Sequence, residues 1–115
     1  MRRGDVHVVD LEPVRGSESN KRRPAVIVSN DVANATALRL GRGVVTVVPV
    51  TSNVERIYPF QVKLPMLRTG LPVDSKAQAE QVRAVDVERI GERLGLVPGD
   101  LMNQLDEALR LHLGL

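Results

Sequence analysis

"GSESNKRRPAVIVSN" (residues 16–30) sets a polar, charged run directly before an apolar one. Three consecutive cations, Lys21, Arg22 and Arg23, meet Pro24, and Ala25, Val26, Ile27 and Val28 follow. A continuous apolar run of this length predicts a strand over 24–30 buried on both faces. Pro24 belongs at its first position, where a missing N–H does least harm. A core needs the apolar half of the stretch; it has no use for the charged half.

Working outward, "DVHVVDL" (5–11) lies between Gly4 and Pro13 and predicts a strand. Residues 12–23 then form a loop, long for a strand connection and suited to a binding loop or lid. "DVANATALRLGRG" (31–43) reads as a loop with one helical turn, and "VVTVVPV" (44–50) as a third buried strand. "FQVKL" (60–64) alternates apolar and polar, as a strand with one wet face does. Residues 65–75 read as irregular, a strand is expected near 77–85, and a turn precedes another near 92–96. "PGDLMNQLDEALRLHL" (98–113) repeats Leu101, Leu105, Leu109 and Leu113 every fourth position, the signature of an amphipathic helix. The expected fold is mainly β: short antiparallel strands in a small closed or half-closed barrel, partly covered by a C-terminal helix.

The chain's 115 residues fit one domain, 1–115, and its 43% hydrophobic content can fill a core. Tyr58 and Phe60 are the only aromatics, so a binding surface must work with little stacking. Without cysteine there are no disulfides or thiolate metal sites. His7 and His112 are far apart in sequence, and no ligand cluster accompanies them, so no metal cofactor is expected. The early acids Asp5, Asp10 and Glu12 argue against a signal peptide, and no apolar run approaches a membrane span, which places the chain in the cytoplasm. Charge is uneven: residues 1–57 carry nine Lys/Arg against six Asp/Glu, and residues 58–115 seven against eight.

No nucleophile motif or phosphate-binding loop is present. What remains is Glu18, Lys21, Arg22, Arg23, Thr51 and Ser52. If the second and third strands run antiparallel, Arg23 at the start of one meets Thr51 at the end of the other. A guanidinium binds phosphate oxygens bidentately, and a hydroxyl adds a donor. A solvated loop and a turn-capping threonine would leave the same residues in place.

In order along the chain, "RRGDVHVVDLEPVRGSESNKRRPAVIVSN", "VVPVTSN", "YPFQVKL", "GLPVDSKAQAEQVRAVDVERI" and "LDEALRLHL" resemble the MazF/PemK toxins of bacterial toxin–antitoxin pairs. The resemblance covers nearly the whole chain. It implies an SH3-like (PemK/CcdB-like) barrel, a homodimer, and a metal-independent endoribonuclease that cuts single-stranded RNA to 2′,3′-cyclic phosphate and 5′-hydroxyl ends. It also implies a cognate antitoxin whose acidic, disordered tail lies across the RNA groove.

By the same resemblance the catalytic residues fall on Arg23, Thr51 and Glu18. RNA-binding positions fall on Ser17, Lys21, Arg22, Ser52, Asn53 and Gln81, and Asp86 is structural. The Kid branch uses an Arg and an Asp where this chain has Gln78 and Glu80, so the Arg/Thr version is the one to carry over. His7 is expected to be structural and His112 to serve the helix end. The alternative is a non-enzymatic toxin on the same barrel, such as a gyrase-binding poison, which would not need Arg23.

Overall fold

The computed structural model describes residues 1–11 and 22–115. Strands β1 (Asp5–Asp10), β2 (Arg22–Ile27), β3 (Val44–Thr51), β4 (Gln61–Leu64), β5 (Ser75–Gln78), β6 (Arg83–Asp86) and β7 (Ile90–Leu96) are joined with helices α1 (Asp31–Leu40), α2 (Met66–Thr69) and α3 (Gly99–Leu113). Every ladder is antiparallel. The sheet path runs β4-β5-β3-β2-β1-β7, with β6 on β3. Its end strands β4 and β7 share no ladder among the described residues, so the sheet stays open where a closed barrel would join them.

β3 is the hinge of the sheet. One edge pairs with β2 at Val47–Pro49; the other pairs first with β6 and then, at Val50 and Thr51, with β5. β2 and β3 are apolar on both faces because each face has its own core. Val26, Val48 and Val50 pack with Leu101, Met102 and Leu105 of α3. Ala25, Ile27, Val45 and Val47 pack with Val9, Leu11 and Ala37 of α1. The continuous run at 24–28 and the leucines at 101, 105 and 109 are thus two halves of one packing arrangement, while Leu113, expected on the same stripe, is exposed.

Beyond the early start of β2, four elements differ from expectation. Residues 31–40 form a full helix, because Asn30 accepts a hydrogen bond from Ala33 N at 2.8 Å and Gly41 closes the far end at φ 65. Only Asn34 and Ala37 of that helix are buried, so no apolar period advertises it. The Asn34 side chain donates to Ser29 O at 2.8 Å, and Ser29 Oγ in turn accepts from Thr46 N at 3.0 Å, which pins α1 to β3. The expected strand over 77–85 is broken by a 3-10 turn at Ala79–Gln81, where the chain passes from β5 to β6. A second 3-10 turn at Val87–Arg89 is capped by Asp86, and β7 begins at Ile90, ahead of the expected residue 92. Residues 66–69, expected to be irregular, form α2, whose Arg68 clasps Asp100 of α3 at 2.7 and 2.9 Å.

The N-terminal arm is fastened by charge. Asp5 is buried; it accepts from Arg2 N at 2.9 Å and from Arg93 Nε at 3.2 Å. Burial alone would push its carboxyl up. The Arg2 hydrogen bond, the Arg93 guanidinium and nearby His7 outweigh that and hold it below its usual value of 3.8. Arg3 reaches further, donating to Val28 O at 2.9 Å and pairing with Asp106 on α3. Among the described residues no helix is long and apolar enough to cross a membrane.

Candidate functional site

β2 begins two residues earlier than expected, so Arg22 and Arg23 are strand residues and Pro24 is the third. On the β1 side Arg22 stands opposite Asp10 and Arg23 opposite Val9. On the β3 side the ladder pairs Ala25 with Pro49. Two residues further along each antiparallel strand are Arg23 and Thr51. The expected meeting of strand start and strand end is therefore present.

The two residues share the lining of one groove of about 320 Å³. Its charged rim is Arg22 and Arg23, its hydroxyl rim Thr51 and Ser52, and its far wall the segment Leu71, Pro72, Val73 and Ser75. No carboxylate belongs to that lining among the described residues. Arg23 is half-buried, and its Nε has no hydrogen-bond partner among them. Buried donors are normally paired, so this one is a hydrogen-bonding capacity left unused by the described residues, on a side chain that lines an anion-friendly space. Thr51 Oγ1 accepts from Asn53 N at 3.3 Å, which leaves its own O–H available to donate.

The segment after Thr51 is held by contacts that were not evident in the sequence. Lys76 stands opposite Thr51 on β5, is buried, and donates from Nζ to Arg56 O. Arg56 lies 5.6 Å from the centroid of the Tyr58 ring, and Tyr58 stacks on Phe60 with ring centroids 5.3 Å apart. The two aromatics thus form one small platform on the connection that begins at Thr51. Ser52 and Asn53 are exposed on it.

The other expected site residues divide. Ser17, Glu18 and Lys21 lie outside the described residues. Gln81 sits in the 3-10 turn after β5 and is not part of the groove lining. Glu80 beside it accepts from Gln61 Nε2 at 2.6 Å, away from Arg23. His7 is buried, with Nδ1 at 2.9 Å from Gly91 O, and belongs to the β1–β7 ladder. Among the described residues no group of three or more His, Cys, Asp or Glu could hold a metal ion. The wall segment 71–75 went unnoticed in the sequence because its prolines and glycine signal irregular backbone and nothing about what it faces. The only available hint was its proximity to the β5 strand that pairs with Thr51.

An open antiparallel sheet backed by a C-terminal helix thus carries a guanidinium and a hydroxyl on one groove. The family model for "PemK-like, MazF-like toxin of type II toxin-antitoxin system" matches residues 2–113, and the chain belongs to that family. It is 63% identical over 115 residues to "Endoribonuclease MazF9" of Mycobacterium tuberculosis (strain ATCC 25618 / H37Rv), covering 100% of this chain and 98% of that protein. Among solved structures, a crystal structure of MazF from Deinococcus radiodurans superposes with a TM-score of 0.82 at 29% identity, covering 100% of this chain and 97% of that one. An endoribonuclease in complex with its cognate antitoxin, from a mycobacterial species, superposes with a TM-score of 0.77 at 26% identity, covering 100% and 96% of the two chains.

Proposed function

We propose that the Arg23–Thr51 groove holds the scissile phosphate of single-stranded RNA. The chain is a MazF-type endoribonuclease toxin of a toxin–antitoxin pair. The observation that carries the groove assignment is Arg23 itself, half-buried, its Nε without a partner among the described residues, in a groove it shares with the Thr51 hydroxyl and with no lining carboxylate among those residues.

RNA supplies its own nucleophile, so the protein needs none. The 2′-hydroxyl attacks the adjacent phosphorus, and negative charge builds on the non-bridging oxygens of the phosphorane. Arg23 and the Thr51 O–H donate to those oxygens, and preorganised donors at such a point lower the barrier. A guanidinium stays protonated at working pH, so Arg23 stabilises charge and does not shuttle the proton. The 2′-hydroxyl proton passes to a base, the role assigned to Glu18. The bond to the 5′ oxygen breaks, and that oxygen takes up a proton. The products are a 2′,3′-cyclic phosphate and a 5′-hydroxyl, and no step requires a metal ion.

Arg22, Ser52 and Asn53 flank the groove and guide the strand, with Ser17, Lys21 and Gln81 as further RNA contacts. The relatives solved with a cognate antitoxin or with MazE support the same partnership here. A groove rimmed by arginines suits an acidic tail as well as it suits RNA. The chain is proposed to act as a single toxin domain over residues 1–115, as a homodimer, in the cytoplasm.

The test is end chemistry. Mapped cleavage products should carry 5′-hydroxyls and 2′,3′-cyclic phosphates, and one 2′-deoxy substitution at the cut nucleotide should abolish that cut. Cutting that survives the 2′-deoxy substitution, or 5′-phosphate products, would reject the mechanism.

A further inference from the structure

Arg22 lines a second hollow as well as the Arg23 groove. This hollow measures about 490 Å³, and its charged walls are Asp10, Asp86, Glu88 and Arg89, with Ile90 and Gly91 behind them. The two spaces share Arg22 in their linings yet differ in chemistry. Among the described residues the Arg23 groove has two arginines and no lining acid, and the second hollow has three acids against Arg22 and Arg89. Phosphate is repelled from such a place. A neutral, planar group with hydrogen-bond donors on its edge is not.

We propose that this hollow holds one nucleobase of the bound RNA, next to the scissile phosphate, and selects amino-bearing bases over uracil. The inference rests on the ribonuclease reading. Ionised carboxylates only accept hydrogen bonds. Adenine, cytosine and guanine each present an exocyclic amine, whereas uracil offers a single ring N3–H flanked by two carbonyl oxygens that a pair of carboxylates repels.

Glu88 is the principal reader. Its side chain is exposed and makes no hydrogen bond or ion pair among the described residues, while its backbone N–H donates to Asp86 Oδ1 at 2.8 Å. That cap fixes the 3-10 turn Val87–Arg89 and so aims the carboxylate. Arg89 secures the opposite wall, donating from Nη1 to Asp10 O at 3.3 Å. Asp86 contributes a second acceptor beside Glu88.

The experiment uses the full chain and short 2′-O-methyl oligonucleotides, which bind but cannot be cut. One position at a time around the preferred cut is changed among adenine, guanine, cytosine and uracil, and affinity is read by fluorescence anisotropy. One flanking position should disfavour uracil by about 10- to 100-fold. In Glu88→Gln, whose amide can also donate, that ratio should fall by roughly tenfold or more; Asp86→Asn should move it in the same direction. Cutting of the unmodified RNAs is measured in parallel. Binding with no uracil discrimination, or discrimination unchanged in both variants, overturns the base pocket and leaves the ribonuclease reading intact. Discrimination without any cutting keeps the pocket and overturns the nuclease. Absence of binding overturns the pocket, and overturns the nuclease as well if the unmodified RNAs stay uncut.

Discussion

Arg23 and Thr51 lie two residues beyond the Ala25–Pro49 pair of the β2–β3 ladder, at the mouth of one groove. Strand register sets their spacing, so the pair is held by the sheet and not by a loop. The role assigned to Thr51 is a hydroxyl donor. Thr51→Ser should therefore keep most of the cleavage rate, and Thr51→Val should lose about 10²- to 10³-fold, the usual cost of one transition-state donor. Single-turnover rates on one RNA, with circular dichroism to verify folding, decide it. Equal rates for Ser and Val would remove the hydroxyl from the mechanism.

Lys76 is a positioning residue. Its buried ammonium holds Arg56 O and thereby the connection that carries Ser52 and Asn53. Lys76→Met keeps the aliphatic stem and deletes the hydrogen bond. Stability should fall by about 1.5–3 kcal/mol. RNA affinity should fall with it, while the rate at saturating RNA changes less, because Arg23 and Thr51 stay on their strands. Chemical denaturation and a split of KM from kcat check both parts. A loss confined to kcat would place Lys76 at the reacting phosphate instead.

Asp5 gives the fold a defined acid sensitivity. Its folded carboxyl titrates below 3.8, so as pH drops through that value the unfolded chain takes up the proton first. The stabilisation is present above the unfolded value and is lost as pH falls through the folded one. Asp5→Asn should be less stable than the parent at neutral pH, and the gap should narrow below about pH 4. Paired thermal melts across pH measure the gap. Asp100 is also lowered, by its hydrogen bond to Arg68, but that pair is exposed and weakened by salt. Subtracting the variant from the parent cancels its titration. A gap that is constant with pH would contradict the Asp5 account.

Gly95 marks where α2 presses on β7. A Cβ there would collide with Thr69 O and meet Thr69 C at 3.3 Å, backbone atoms that cannot swing aside. Gly95→Ala should lower stability by about 1–3 kcal/mol, the range for overpacking a filled site. Gly99→Ala meets nothing within 4 Å and serves as the control. Equal melting temperatures for the two variants would show that α2 sits further from the strand.

The elements legible in the sequence were those whose burial is periodic or continuous. The valine runs of β2 and β3 and the leucine ladder of α3 carry two cores, and each shows in the order of residues. α1 was hidden because its anchor is Asn34, a buried amide bonded to Ser29, and polar residues at 31–36 read as loop. The division of 77–85 into β5 and β6 was hidden because β3 takes β6 along Val44–Val47 and β5 at Val50 and Thr51, a change of partner that the order of residues 77–85 does not record. In the site, Arg23 and Thr51 could be brought together by strand order alone. The groove wall at Leu71–Ser75 and the Lys76–Arg56 tie could not, since each depends on contacts between segments whose sequences record no pairing.

The most direct measurement is cleavage of a long single-stranded RNA in excess EDTA by the parent chain and by Arg23→Ala, with new 5′ ends mapped. The account predicts discrete cuts bearing 5′-hydroxyls for the parent and a rate lower by about 10²- to 10³-fold for the variant. Undiminished cutting by a folded Arg23→Ala protein would contradict it.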